Sequence, residues 1–98
     1  MEKKFDISTF VEDLTEEKTL CNLVNRVIKK RKDMKITQKK LSDISGVSYG
    51  SIKRFELTGE ISLRSHLKIA SVLDSLEDFE KLFTRINIKS VKELFYDK

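Results

Sequence analysis

The sequence predicts an all-α fold, a compact bundle of about five helices with a helix-turn-helix at its centre, and three observations carry that expectation. It contains no proline and only three glycines, so little in it interrupts a helix. Its leucines and isoleucines recur three and four apart, with little of the alternation that marks half-buried strands. Capping residues stand ahead of the periodic runs: Thr15, Thr37, Ser48 and Ser62. A chain of 98 residues is one domain with a modest core.

In chain order, residues 1–14 carry Phe5, Ile7, Phe10, Val11 and Leu14 without a sustained period. They fit an extended arm or a short extra helix, packed on the core or on a partner. Residues 15–84 form the main domain. Its first helix begins around Thr15, with Glu16 and Glu17 in the first turn and Lys29 to Lys32 near the end, which matches the helix dipole at both ends. Leu20, Val24, Val27 and Ile28 make its buried stripe, with Leu23 beside it. Cys21 is expected to be a small buried or half-buried hydrophobe.

Thr37 can cap a helix that begins at Gln38, Leu41 and Ile44 fall on one face, and Gly46 can take the positive φ that ends it. Val47 buries itself in the turn and Ser48 caps a second helix with Ile52 and Phe55 inward. Two short helices joined by a tight glycine-containing turn are the spacing of a DNA-binding helix-turn-helix, whose second helix enters the major groove. An αα-corner without a ligand shares that spacing. A loop over Leu57–Ile61, marked by Thr58-Gly59, leads to a helix capped by Ser62 with Leu63, Leu67, Ala70 and Leu73 inward. His66 on that helix reads as structural. Ser75, with Asp78 three residues on, opens a short helix Ser75–Phe83 bearing Leu76, Phe79, Leu82 and Phe83. The tail, residues 85–98, holds Ile86, Ile88, Val91, Leu94, Phe95 and Tyr96, and Ser90 with Glu93 fits a capping box. A final amphipathic turn and a partner-binding arm both suit it.

The net charge of +4 says little by itself, but its distribution says more. From Arg26 to Arg54 ten basic residues face two acids, a local net of +8, while the rest of the chain nets −4. The basic block coincides with the end of the first helix and the helix-turn-helix, as a phosphate footprint requires. A solvated basic face would have the same composition.

Thr37-Gln38, Leu41, Gly46-Val47-Ser48, Ile52, Arg54-Phe55-Glu56, Gly59 and Ile61-Ser62-Leu63 together resemble the Cro/repressor-type (XRE) helix-turn-helix family, over roughly residues 16–83. Within it, the run Ser51 to Leu63 with Asp78-Phe79 and Leu82-Phe83 resembles the small regulators partnered with HipA-type kinase toxins. Lys35 stands where the family often has glycine. The resemblance implies a dimeric repressor on an inverted repeat of double-stranded DNA, an antitoxin-type autorepressor in the narrower case. The alternative it implies is an interaction protein that restrains a HipA-like kinase toxin, with DNA binding secondary. It places Ser48, Tyr49 and Gly50 at the groove, with Lys53 and Arg54 one turn later and Gln38 at a phosphate, and counts Thr37, Ser51 and Thr58 among the DNA-binding residues. Arg54 is the candidate for guanine, with a phosphate as its other target.

The same resemblance pairs Arg31 with Glu56. The chain supplies its own reason, since a carboxylate ending the second helix opposes the dipole and needs a cation, and a guanidinium satisfies both its oxygens. Phe79, Leu82, Phe83 and Phe95, with Tyr96, are more aromatic surface than a small core needs and form the expected homodimer interface. No catalytic, metal-binding or cofactor-binding constellation stands out, so neither an enzyme nor a metalloprotein is expected. A single cysteine, charges throughout the first 13 residues and the lack of a long apolar run imply a cytoplasmic protein with no membrane partner.

Overall fold

The first four helices open as their capping residues dictate. The computed structural model describes residues 14–86; Phe95, Tyr96 and the other expectations for 1–13 and 87–98 lie outside the described residues. Among the described residues there are five helices and no strand: α1 Glu16–Asp33, α2 Gln38–Ser45, α3 Tyr49–Thr58, α4 Leu63–Val72 and α5 Leu76–Glu80. The hydroxyl oxygens of Thr15, Thr37, Ser48 and Ser62 accept from the N–H groups of Lys18, Lys40, Ser51 and Ser65 at 3.0–3.1 Å. Each such cap is worth about 1 kcal/mol.

The helix ends follow one rule with two kinds of residue. Gly46 and Gly59, at φ 81° and 85°, end α2 and α3 in the left-handed region, their N–H groups donating four residues back. Lys35 (φ 60°) and Asp74 (φ 57°) take the left-handed region after α1 and α4 without being glycine, their N–H groups donating three residues back, to the Lys32 and Ser71 carbonyls. After each, the next N–H closes a six-residue loop, Ile36 to the Arg31 carbonyl at 3.1 Å and Ser75 to that of Ala70 at 2.8 Å. Those bonds, with the partly buried Ile36 packed on the core, offset a left-handed side chain costing about 1–2 kcal/mol.

α3 packs on α2 and α1, α2 packs also on α4, and α4 carries α5. Leu41, Val47, Ile52, Ile69 and Leu73 form the central cluster, edged by Val27, Ile36, Ile61 and Val72, and Phe55 is fully buried with them. At about 1.5–3 kcal/mol per buried large side chain, this cluster holds the two-helix unit α2–α3 to the rest.

Several inward stripes are rotated from those the sequence predicts. Ile44 and Leu63 are exposed, while His66 and Ile69 take the buried positions of α4 with Ala70 and Leu73. Of the α1 stripe only Val24 is fully buried, with Leu20, Leu23, Val27 and Ile28 half-buried. Cys21 is exposed rather than buried, because it lies off that stripe. α3 runs on through Leu57 and Thr58, where a loop was expected. α5 is shorter than the expected Ser75–Phe83. Ser75 caps nothing: its hydroxyl donates to the Leu73 carbonyl at 3.0 Å, and Phe83 at φ 63° is incompatible with a continuing helix.

His66 sits between Phe55 and Phe79, ring centroids 5.0 and 5.1 Å away, the Phe79 contact edge-on. Burial lowers its pKa from the ordinary 6.5, so it packs as a neutral ring.

Gly59 has a second constraint. A Cβ there would lie 2.8 Å from Leu20 Cδ2 and 2.9 Å from Cγ, whereas at Gly46 it would meet nothing within 4 Å. Gly46→Ala is therefore expected to cost about 1–2 kcal/mol for left-handed φ alone. Gly59→Ala adds the displacement of Leu20 and loosens the end of α3 from α1. Urea midpoints measure the difference; equal losses at both sites would remove the Leu20 contact from the account.

Candidate nucleic-acid interface

A polar network fixes the angle of α3. Arg31, in the last turn of α1, donates from Nε to Glu56 Oε2 at 2.7 Å and from Nη2 to Oε1 at 3.0 Å. Its Nη1 donates to the Ile36 carbonyl at 2.8 Å, and Gln38 Nε2 donates to Glu56 Oε1 at 2.8 Å. The Arg31 and Glu56 side chains retain only 9% and 8% exposure. Three helices thus meet at one carboxylate, and Arg31 ties the α1–α2 turn to them. The resemblance assigns Gln38 to a phosphate; here it is half-buried and one of its amide N–H groups is occupied by Glu56.

Outside that network the exposed face of α3 is polar except for Leu57, which is 86% exposed. Ile52 and Phe55 point into the core, and Ser48, Tyr49, Gly50, Ser51, Lys53, Arg54 and Thr58 are all exposed. That division is the helical period at work, with the apolar pair three apart leaving the remaining edge to solvent. Lys53 Nζ lies 4.6 Å from the centroid of the Tyr49 ring and Lys39 Nζ, from the first turn of α2, lies 6.0 Å from it. The two ammonium groups hold the ring by cation–π attraction and concentrate positive charge at the start of α3. Lys39 joins the site only through the fold, since no short-range pattern links it to Tyr49. Gly50 leaves open space where a Cβ would be. Thr37 stands exposed at the start of α2, its hydroxyl oxygen accepting from the Lys40 N–H.

The far end of the face is closed by a second pair. Arg54 donates from Nε to Glu60 Oε1 at 3.1 Å and from Nη2 to the same oxygen. Thr58 Oγ1 donates to the Arg54 carbonyl at 2.8 Å and accepts from the Glu60 N–H at 3.1 Å. Glu60 is absent from the residues the sequence singles out, because it lies beyond the helix and returns only through the Gly59 turn.

The expected dimer residues are not equivalent. Phe79 is half-buried against His66 and belongs to the edge of the core, whereas Leu82 and Phe83 are exposed, Phe83 completely. Near them, α1, α4 and α5 enclose an apolar groove of about 470 Å³ lined by Leu23, Val27, Ile69, Leu73, Phe79 and Leu82, among others. No described α3 residue lines it. Among the described residues, no helix is long and apolar enough to cross a membrane.

The described residues thus form an all-α scaffold on which the exposed start of one short helix stands beside two lysines. Comparison with protein-family models, with curated proteins and with solved structures returned no match.

Proposed function

We propose that the chain is a sequence-specific duplex-DNA-binding regulator of the Cro/repressor (XRE) type, acting as a dimer on an inverted repeat. One observation carries the reading: the exposed edge of α3 gathers Ser48, Tyr49, Gly50, Ser51, Lys53 and Arg54, while its other edge is locked into the core and onto Arg31. A helix whose first turn offers hydroxyls, a bare backbone and an amphipathic ring, with cations on either side, suits base edges between two phosphate rows. The exposed Leu82 and Phe83 supply apolar surface for the second protomer.

The exposed apolar end and the neighbouring groove also favour a second reading, an antitoxin-type interaction protein whose partner is a HipA-like kinase toxin, with DNA binding as autoregulation. The two readings are compatible in one molecule.

Selection from a randomised duplex pool tests the leading reading. The expected product is an inverted repeat whose half-site centres lie about 34 Å, one DNA turn, apart. A pool that shows no enrichment overturns sequence-specific binding, and enrichment of a single half-site overturns the dimer.

A further inference from the structure

We infer that Glu60 is a specificity-determining residue for duplex DNA: by holding one edge of the Arg54 guanidinium, it turns Arg54 from a phosphate-binding cation into a guanine reader. The inference rests on the DNA-binding reading above and deepens it.

The geometry of the guanidinium carries the argument. Nε–H and one Nη2–H both point at Glu60 Oε1, so the side edge of the fork is occupied. The end edge, Nη1 with the second Nη2–H, has no hydrogen-bond partner among the described residues. That end edge is the part of an arginine that donates twice to guanine O6 and N7. A free arginine on a helix face sweeps a wide arc and meets phosphates first, because the phosphate rows flank the groove and carry the charge. Pairing with a carboxylate removes most of that attraction and fixes the arc.

Glu60 is itself anchored. Its N–H donates to Thr58 Oγ1, which donates in turn to the Arg54 carbonyl, so backbone and side chain of residues 54, 58 and 60 close a ring of hydrogen bonds. The turn that brings Glu60 back depends on Gly59 at φ 85°, pressed against Leu20 of α1. The Glu60 backbone is therefore set by the fold, with its carboxylate within reach of Arg54. Both side chains remain about two-thirds exposed, at 67% and 63%, so duplex DNA can reach them and the pair adds little to folding.

The experiment uses the full chain, a randomised duplex pool and one random-sequence duplex as the non-specific probe. For Glu60→Gln, affinity for the random duplex is expected to rise roughly eightfold per protomer at about 0.1 M salt, since each phosphate gained steepens the salt slope by about 0.9. The guanine preference at one position of each half-site, about 5- to 150-fold for a bidentate contact, is expected to collapse toward one. Thr58→Val, which releases the Glu60 backbone, is expected to move both readouts in the same direction. In an Arg54→Ala background the Glu60→Gln change should do nothing. A rise that persists there means that Glu60 repels phosphates directly and overturns the inference. Unchanged selectivity in Glu60→Gln also overturns it while leaving the DNA reading intact. Failure of the unsubstituted chain to bind either probe overturns both.

Discussion

Removing either member of the Arg31–Glu56 pair is expected to destabilise the fold by about 3–5 kcal/mol, the cost of leaving a buried charge without its partner. An exposed pair would cost under about 1 kcal/mol, and the exposures of 9% and 8% decide between the two regimes. Glu56 accepts from Arg31 Nε, Arg31 Nη2 and Gln38 Nε2, and Arg31 spends its remaining terminal nitrogen on the Ile36 carbonyl. Glu56→Gln would turn an amide NH2 toward groups that only donate. Arg31→Met fills the space with apolar atoms but leaves the Glu56 charge with only the Gln38 amide as partner and removes the donor to the Ile36 carbonyl. The double variant loses both charges together and should recover part of the loss, because two compensating apolar or neutral groups in a buried site are far cheaper than one charge. A double-mutant cycle read by urea unfolding measures the coupling, and a value near zero would remove the pair from the account. Near the threshold of a small domain's stability, the single variants should also lose duplex affinity, since the angle at which α3 leaves the core is set by this network.

The parts of the fold written in local chemistry were legible in the sequence. The caps Thr37 and Ser48, the left-handed Gly46 and the burial of Val47 each depend on a handful of neighbouring residues, so reading them needs no tertiary knowledge. Which face of a helix is buried is a different matter. In α4, periodicity allows the stripe Leu63, Leu67, Ala70 and Leu73 to be inward; Ala70 and Leu73 are, but Ile69 and His66, packed between Phe55 and Phe79, are buried beside them, while Leu67 is half-buried and Leu63 lies in solvent. Hydrophobicity scales favour leucine over histidine; an aromatic slot with neutral imidazole reverses the order. The expected cap of α5 fails for a related reason, because Ser75 bonds backward to Leu73 and does not cap forward.

The candidate site divides in the same way. Ser48, Tyr49, Gly50, Ser51, Lys53 and Arg54 share an exposed edge simply because Ile52 and Phe55 occupy the other one. The partners that tune those residues come from elsewhere in the chain: Lys39 to Tyr49 from α2, and Glu60 to Arg54 through a glycine turn. Gln38 shows the limit most clearly. The start of a helix is an ordinary place for a phosphate contact, but a carboxylate 18 residues away claims one of its amide hydrogens.

Duplex binding is expected to be steeply salt-dependent, and the argument turns on which cations remain available. Of the ten basic residues between Arg26 and Arg54, Arg31 is consumed by Glu56, Lys29 pairs with Asp33 at 2.8 Å, and Arg54 is held by Glu60. Lys39 and Lys53 stand beside Tyr49 at the start of α3, and Lys32 and Lys53 line a shallow cleft with Gln38, so the cations that face a duplex there number a few per protomer. Doubled by a two-fold axis and joined by backbone N–H groups at the starts of α2 and α3, they support contacts to about six to ten phosphates, which corresponds to a loss of about three to five decades in affinity between 50 and 200 mM salt. Lys53→Gln should lower the slope of log affinity against log salt by about 0.9 per protomer while leaving base preference almost unchanged, because an ammonium placed over an aromatic ring is a point charge without the fork that reads a base. Fluorescence anisotropy on a labelled duplex across that salt range measures both quantities. A flat titration would overturn DNA binding, and a Lys53→Gln variant with the original slope would move the phosphate row away from the start of α3.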